Sequence, residues 1–252
     1  MANVELALEE FKKGNYKEAL EEFLVALEED KANPHILNNI GLCHIYLEDD
    51  TNAEKSFLEA LAIDDKIVQL YINLADLYYR QNEMLKAIEI LQNGVYKLPD
   101  NPALRHYLAR VYIDDSRYDI AIDQLDAVLE ISPKNYDAYW DLGRVYFELG
   151  VWDEAIANYE RVLEYVDNNP LIYYNVALAY EANDEIDKAI SNHLKAIAIN
   201  DKFAHSYKNL GVLFLSRGEK EDAKEYFEEY LKFNLPEEEK ETIEHILKKL
   251  NN

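Results

Sequence analysis

Apolar and small residues recur along this chain with a step of 34 residues, and no insertion or deletion breaks the step. Ala19, Ala53, Ala87, Ala121, Ala155, Ala189 and Ala223 mark one row of the repeat. Leu6, Ile40, Leu74, Leu108, Leu142, Val176 and Leu210 form a large apolar row, beside a small one of Ala7, Gly41, Ala75, Ala109, Gly143, Ala177 and Gly211. So strict a period describes one supersecondary unit repeated along the chain. Within a unit the spacing is helical. Leu6, Leu8 and Phe11 share one helix, Gly14-Asn15 turns the chain, and Tyr16, Ala19, Leu20, Phe23, Ala26 and Leu27 form the stripe of a second helix. Small residues persist where two helices approach closely, because a larger side chain there overpacks by about 1–3 kcal/mol.

Punctuation supports the same division. Asn33-Pro34, Asn101-Pro102 and Asn169-Pro170 open three of the units, proline being suited to the first helical turn. Between paired helices Gly150 and Gly218 supply a permissive backbone, whereas Glu48, Asn82, Ser116 and Asp184 fill other turns. Asn and Asp tolerate left-handed geometry and Glu does not, so Leu47-Glu48-Asp49-Asp50 is expected to be the least regular turn. After Phe233 the pattern changes. Leu235-Pro236 and Glu237-Glu238-Glu239 start a helix with Ile243, Ile246, Leu247 and Leu250 on one stripe and Lys248 and Lys249 near its end, a charge order that suits the helix dipole.

These residues resemble the tetratricopeptide repeat, a helix-turn-helix unit with the pattern W-x2-L-G-x2-Y, then A-x3-F, then P. Tyr139, Leu142, Gly143, Tyr146, Ala155 and Tyr159 fit it with Tyr139 in place of Trp; Tyr207, Leu210, Gly211, Phe214, Ala223 and Phe227 fit it again. So do Leu37, Ile40, Gly41, His44, Ala53 and Phe57, and Pro99 and Pro133 fill the closing proline. The resemblance implies an all-α fold, a right-handed superhelical solenoid of seven helix pairs plus a C-terminal capping helix. The units fall at about 1–33, 34–67, 68–101, 102–135, 136–169, 170–203 and 204–235, with the cap at 236–252. The carboxylate clamp of heat-shock co-chaperones does not transfer, since its set of Lys, Asn and Arg is not met in any run of units.

Charge narrows the partners. With 26 basic against 50 acidic residues the net charge is −24, which disfavours nucleic acid and an anionic membrane surface. Cys43, the single cysteine, lies in an apolar row and reads as an inert thiol. MANVELALEEFKK is too acidic for a signal peptide and no apolar run approaches a membrane span, so a cytoplasmic location is expected. Phosphate-loop, nucleophile-elbow, H-E-x-x-H and paired C-x-x-C motifs are missing, and the six histidines include no pair at metal-binding helical spacing. The reading is non-catalytic, with no cofactor and no metal.

The first helix of each unit, by resemblance, lines the concave surface. Five bases and seven acids occupy its inward positions, so the strip is close to neutral and the acidity belongs to the remaining surface. Asn39, Asn73, Asn175 and Asn209 share a row interrupted by Tyr107 and Asp141. Amides can hold a peptide backbone without reading its sequence, as a similar ladder does in O-linked N-acetylglucosamine transferase. The alternative is contact with the neighbouring unit. The middle units add Arg80, His106, Tyr107, Arg110, Trp140, Arg144 and Tyr174, residue types enriched in binding hot spots. The alternative for these is an internal ladder, Asp76 to Arg110 and Asp141 to Arg144, with Trp140 covering it. Trp152, aligned with Tyr16, Met84 and Tyr118, reads as packing. The expected function is an adaptor that takes an extended peptide or partner helix in its groove. A chaperone for a basic client, and a subunit self-associating as a homodimer through its first repeat, are the competing readings.

Overall fold

The computed structural model describes residues 2–251, and among these every regular element is an α-helix. The backbone forms two compact units, Met1–Lys134 and Asn135–Asn252. The first holds α1 (Ala2–Lys13), α2 (Tyr16–Glu29), α3 (Pro34–Tyr46), α4 (Asp50–Ile63), α5 (Val68–Arg80), α6 (Met84–Lys97), α7 (Pro102–Asp114) and α8 (Tyr118–Ile131). The second holds α9 (Tyr136–Glu148), α10 (Trp152–Leu163), α11 (Pro170–Ala182), α12 (Ile186–Ile199), α13 (Ala204–Ser216), α14 (Lys220–Tyr230) and α15 (Glu237–Leu250).

Where Asn precedes Pro, the amide satisfies N–H groups that a helix start leaves open. Asn33 Oδ1 accepts from the backbone of His35 and Ile36 at 3.0 and 3.2 Å. Asn101 accepts from Leu104, and Asn169 from Leu171, each at 3.0 Å. Asn135 caps α9 in the same way without a following proline, accepting from Ala138 at 3.0 Å.

The two helices of a pair meet through a small residue on the first and a large one on the second. A Cβ added to Gly41 would lie 2.5 Å from the Phe57 ring, one on Gly143 2.5 Å from Tyr159, and one on Gly211 2.6 Å from Phe227. In the rows these residues occupy, Ala75 and Ala109 stand in the pairs whose large residues are Leu91 and Leu125. Volume is traded between rows: glycine opposite a ring, alanine opposite leucine. The first and sixth pairs depart from this with alanine in the row opposite a ring: Ala7 and Phe23 share one cluster, and Ala177 and His193 are both fully buried. All seven alanines of the row beginning at Ala19 are fully buried, and so is the Cys43 thiol, whose pKa burial pushes up to about 11. In the second unit Ile243, Ile246, Leu247 and Leu250 of α15 pack with Phe227, Tyr230 and Phe233.

All seven turns within pairs place one residue in the left-handed region: Gly14, Gly150 and Gly218 at φ of 83°, 73° and 76°, and Glu48, Asn82, Ser116 and Asp184 between 57° and 60°. The expected irregularity at Leu47–Asp50 is therefore corrected. Glu48 sits at φ 59°, and the next N–H, on Asp49, donates to the His44 carbonyl at 2.9 Å, as Glu83 does to Tyr78 at 2.8 Å. Packing of the flanking helices imposes the turn, and the glutamate carries strain of roughly 1–2 kcal/mol instead of distorting it.

Two outcomes follow. Gly143→Ala gains about 1 kcal/mol of helix propensity but drives a methyl into the Tyr159 ring, so a net loss of about 1–2 kcal/mol is expected. Adding Tyr159→Leu, which copies the alanine–leucine combination, should cost less than the two single losses summed; strictly additive urea midpoints would refute the fit. Glu48→Gly and Ser116→Gly should each raise stability by about 0.5–1 kcal/mol, with a smaller gain for Asn82→Gly. Equal gains at all three positions would show that the left-handed backbone is not the source.

Candidate functional site on the first-helix faces

In the first unit the faces of α3, α5 and α7 carry two adjoining hollows. One, of about 370 Å³, is lined by Leu42, Ile45 and Tyr46 of α3, Phe57 of α4, and Asn73, Asp76, Leu77, Tyr79 and Arg80 of α5. The other, of about 220 Å³, is lined by Ala75, Asp76 and Tyr79 of α5 with Tyr107, Arg110, Val111 and Asp114 of α7. Asp76 and Tyr79 belong to both.

A crossed pair of hydrogen bonds fixes this boundary. The Tyr107 hydroxyl donates to Asp76 Oδ1, and the Tyr79 hydroxyl donates to Asp114 Oδ2 at 3.1 Å, so each helix gives one tyrosine and one carboxylate. Burial and then the Asp76 bond push the Tyr107 phenol well above its usual range, while the Asp114 bond raises that of Tyr79. Both hydroxyls therefore stay protonated donors at neutral pH. Arg110 is exposed beside Tyr107. The expected Asp76 to Arg110 ladder is replaced by the Tyr107 bond to Asp76.

The remaining predicted residues of this unit are largely engaged within it. Asn73 Nδ2 donates to Asn38 Oδ1 at 2.8 Å and its Oδ1 accepts from Gln69 at 2.7 Å, joining α5 to the preceding first helix. Arg80 lies 3.4 Å from Asp50, whose other oxygen accepts from Gln81 at 3.2 Å. Asn39 and His106 are half-buried on α3 and α7.

In the second unit Trp140 is half-buried, its ring 5.4 Å from that of Tyr159. It lines a hollow of about 270 Å³ with Tyr136, Asp137, Val162, Val166, Asn169, Leu171 and Ile172. Arg144 reaches back one turn to the buried Asp141 at 3.3 Å, the one rung of the expected ladder that forms. Trp152 packs edge-on against Phe147 at 5.2 Å. Asn175 donates to the Leu171 carbonyl of its own helix at 2.8 Å, and the Asn209 amide beside Tyr174 offsets part of the rise that burial gives the phenol's pKa. Tyr174 also packs against Phe203 and His205 at 5.5 and 5.8 Å. Lys208 pairs with Glu239 of α15.

Glu181 is one of the seven acids at inward positions, but its burial, like that of His193, was not picked out from the sequence. Glu181 of α11 occupies a row otherwise filled by Phe11, Ile45, Tyr79, Ile113, Phe147 and Leu215; burial raises its pKa and leaves Oε2 without a partner. A lone carboxylate in that row was the available signal. His193 is wholly buried, in the row of Phe23, Phe57, Leu91, Leu125, Tyr159 and Phe227. Its Nδ1 lies 3.2 Å from Ser206 Oγ, its Nε2 has no partner, and the ring is 5.6 Å from Tyr174. Burial pushes its pKa down to about 4. Among the described residues no group of three His, Cys, Asp or Glu could hold a metal ion, and no helix is long and apolar enough to cross a membrane.

Comparison with known proteins adds family information. The matching family models are described as TPR repeat, over residues 109–150 and 143–184, and tetratricopeptide repeat, over residues 4–66 and 204–235. A curated relative from Bos taurus, BBSome complex member BBS4, is 30% identical over 125 residues, which are 50% of this chain and 24% of the relative. The match thus spans about a quarter of that protein's length. The C-terminal part of a TPR repeat-containing protein from Cytophaga hutchinsonii superposes with a TM-score of 0.77 at 18% identity, over 92% of this chain and 95% of that one. A tetratricopeptide repeat protein from Parabacteroides merdae gives 0.64 at 22% identity, over 100% and 98%. These structures share the fold.

The buried histidine makes the floor beneath Tyr174 sensitive to acid. Unfolded, His193 takes a proton near pH 6.5; folded, it resists until about 4, so stability is full above 6.5 and falls as pH drops toward 4. The loss attributable to this group reaches about 3 kcal/mol. The double variant His193→Leu/Ser206→Ala, which copies Leu125 and Ala138 of the same rows, should lose that much less over the interval in urea titrations. An unchanged pH profile would place the acid sensitivity elsewhere.

Proposed function

We infer function from a plain premise: the chain belongs to the tetratricopeptide repeat family, a scaffold for protein–protein interaction. On this basis the protein is a non-catalytic binding module, and in the first unit the joined hollows of α3, α5 and α7 receive a segment of a partner protein. The observation that carries this reading is the crossed Tyr107–Asp76 and Tyr79–Asp114 bonding between two hollows that hold exposed apolar and polar groups side by side. Such groups are mounted before a ligand arrives, which lowers the ordering cost of binding. In this reading Leu42, Ile45 and Tyr46 supply an apolar wall with Arg80 at its edge, Tyr107 and Arg110 line the adjoining hollow, and His106, on α7 with them, is proposed as a further contact. Asn39, on α3, is placed to meet ligand backbone; Asn73 instead stiffens the seam between α3 and α5. The relative named as a complex member supports a role in assembly rather than in chemistry.

In the second unit Trp140, Arg144, Tyr174, Asn175 and Asn209 are proposed as a separate set of contacts. Trp140 beside its own hollow is the strongest of them, with Arg144 half-exposed one turn on.

The test is selection of a random peptide library displayed on phage against the folded chain. Affinities of enriched peptides are then measured by fluorescence anisotropy. Leu42→Ala/Tyr79→Ala, which removes one wall and the shared rim, is expected to weaken them about tenfold with an unchanged helical circular dichroism spectrum. Peptides that bind this variant as well as the parent chain, or no enrichment at all, would overturn the assignment to this face.

A further inference from the structure

Resting on the reading that the α3–α5–α7 face receives a peptide, we propose that its ligand carries a large apolar side chain with a lysine or arginine about three residues away. The larger hollow is walled by Leu42, Ile45, Phe57 and Leu77, and at about 370 Å³ it has room for a Leu, Phe or Trp side chain to leave water. The adjoining hollow has a different character. Its lining contributes Asp76 and Asp114 against Arg110, whereas Arg80 on the far side is already matched by Asp50 at 3.4 Å.

Each carboxylate keeps an oxygen to spare. Tyr107 occupies Asp76 Oδ1 and Tyr79 occupies Asp114 Oδ2, which holds both groups in place while Asp76 Oδ2 and Asp114 Oδ1 remain able to accept. Both aspartates are exposed. The two tyrosine rings offer faces along which the aliphatic stem of a lysine or arginine can lie, with the cation near the ring. An acidic ligand side chain in this hollow meets two carboxylates for one guanidinium. Further out it meets a chain of net charge −24, which draws basic peptides in and repels acidic ones.

Neighbouring helices lie about 8–10 Å apart, and a peptide in the polyproline II form of extended chain advances about 3.1 Å per residue and returns a side chain to the same face at every third one, so side chains filling successive hollows are roughly three residues apart. Arg110 then has a defined role. It offsets one of the two acids and moderates the preference, and removing it sharpens selectivity for basic ligands.

The experiment uses the peptides enriched on the full chain, each paired with a version in which the Lys or Arg near the apolar anchor becomes Gln. The Gln versions should bind about tenfold more weakly, Asp76→Asn/Asp114→Asn should weaken the basic peptides by a similar factor, and Arg110→Ala should strengthen them about threefold. Raising salt from 50 to 500 mM should erase most of the difference between each pair, with approximate concentrations chosen to shrink the Debye length several-fold. Enriched peptides that are acidic or uncharged, yet still lose affinity for Leu42→Ala/Tyr79→Ala, would overturn the ligand class and leave the site standing. Peptides indifferent to both sets of variants would remove the site as well.

Discussion

Everything in this structure depends on how closely the two helices of a pair can approach. The distance is set by a single contact repeated along the chain, a residue with little or no side chain against a large one: Gly41 on Phe57, Gly143 on Tyr159, Gly211 on Phe227. Interiors at crystal-like density tolerate neither a gap nor an overlap there, so the two rows are coupled and the rest of each helix follows from their fit. The coupling explains how the turns can all be alike. With the helices clamped, the connecting residue has one conformation open to it, and Glu48, Ser116 and the glycines adopt the same left-handed geometry despite very different intrinsic preferences.

That clamp also frees the opposite side of the first helices. Residues such as Asp76, Tyr79, Tyr107 and Asp114 do not hold the pairs together, so they can be chosen for what they present. The crossed tyrosine–carboxylate bonds between α5 and α7 show how a surface patch becomes stiff at the edge of the core, against which Tyr107 packs. Each bond is modest by itself, near 1 kcal/mol, but the two share helices and restrain four side chains at once. A rigid patch bordering an apolar hollow is the arrangement that binding favours, because little freedom remains to be lost.

Much of the architecture was legible in the chain alone, since period, small rows and Asn-Pro starts report local constraints that each unit satisfies by itself. The polar contacts were harder to read. Their partners are separated by nearly but not quite one period: Asn38 to Asn73 and Tyr79 to Asp114 at 35 residues, Asp76 to Tyr107 at 31, Asp50 to Arg80 at 30. A column of identical rows hides such offsets, because it aligns each residue with its equivalents and not with its neighbour in space. For this reason Asn73 looks free in the sequence and is doubly bonded in the fold. Asn175 departs for a different reason: a helix always offers the carbonyl one turn back, and an amide with no better partner takes it.

Trp140 joins these strands. From the sequence it reads as spare, because Tyr139 already fills the aromatic position of its unit. Yet Gly143, three residues later on the same face of α9, lets the Tyr159 ring come within contact of the helix backbone, and that ring is the surface against which Trp140 lies. A bulkier residue at 143 would push Tyr159 away and leave the indole without its support. The indole is thus half core and half surface, held on one side by Tyr159 and open on the other to the hollow formed with Val162, Val166 and Ile172. Tight packing and ligand access are not alternatives at this position. The close approach that stabilises the pair is what orients the tryptophan, so a change at Gly143 alters both the fold and whatever Trp140 contacts.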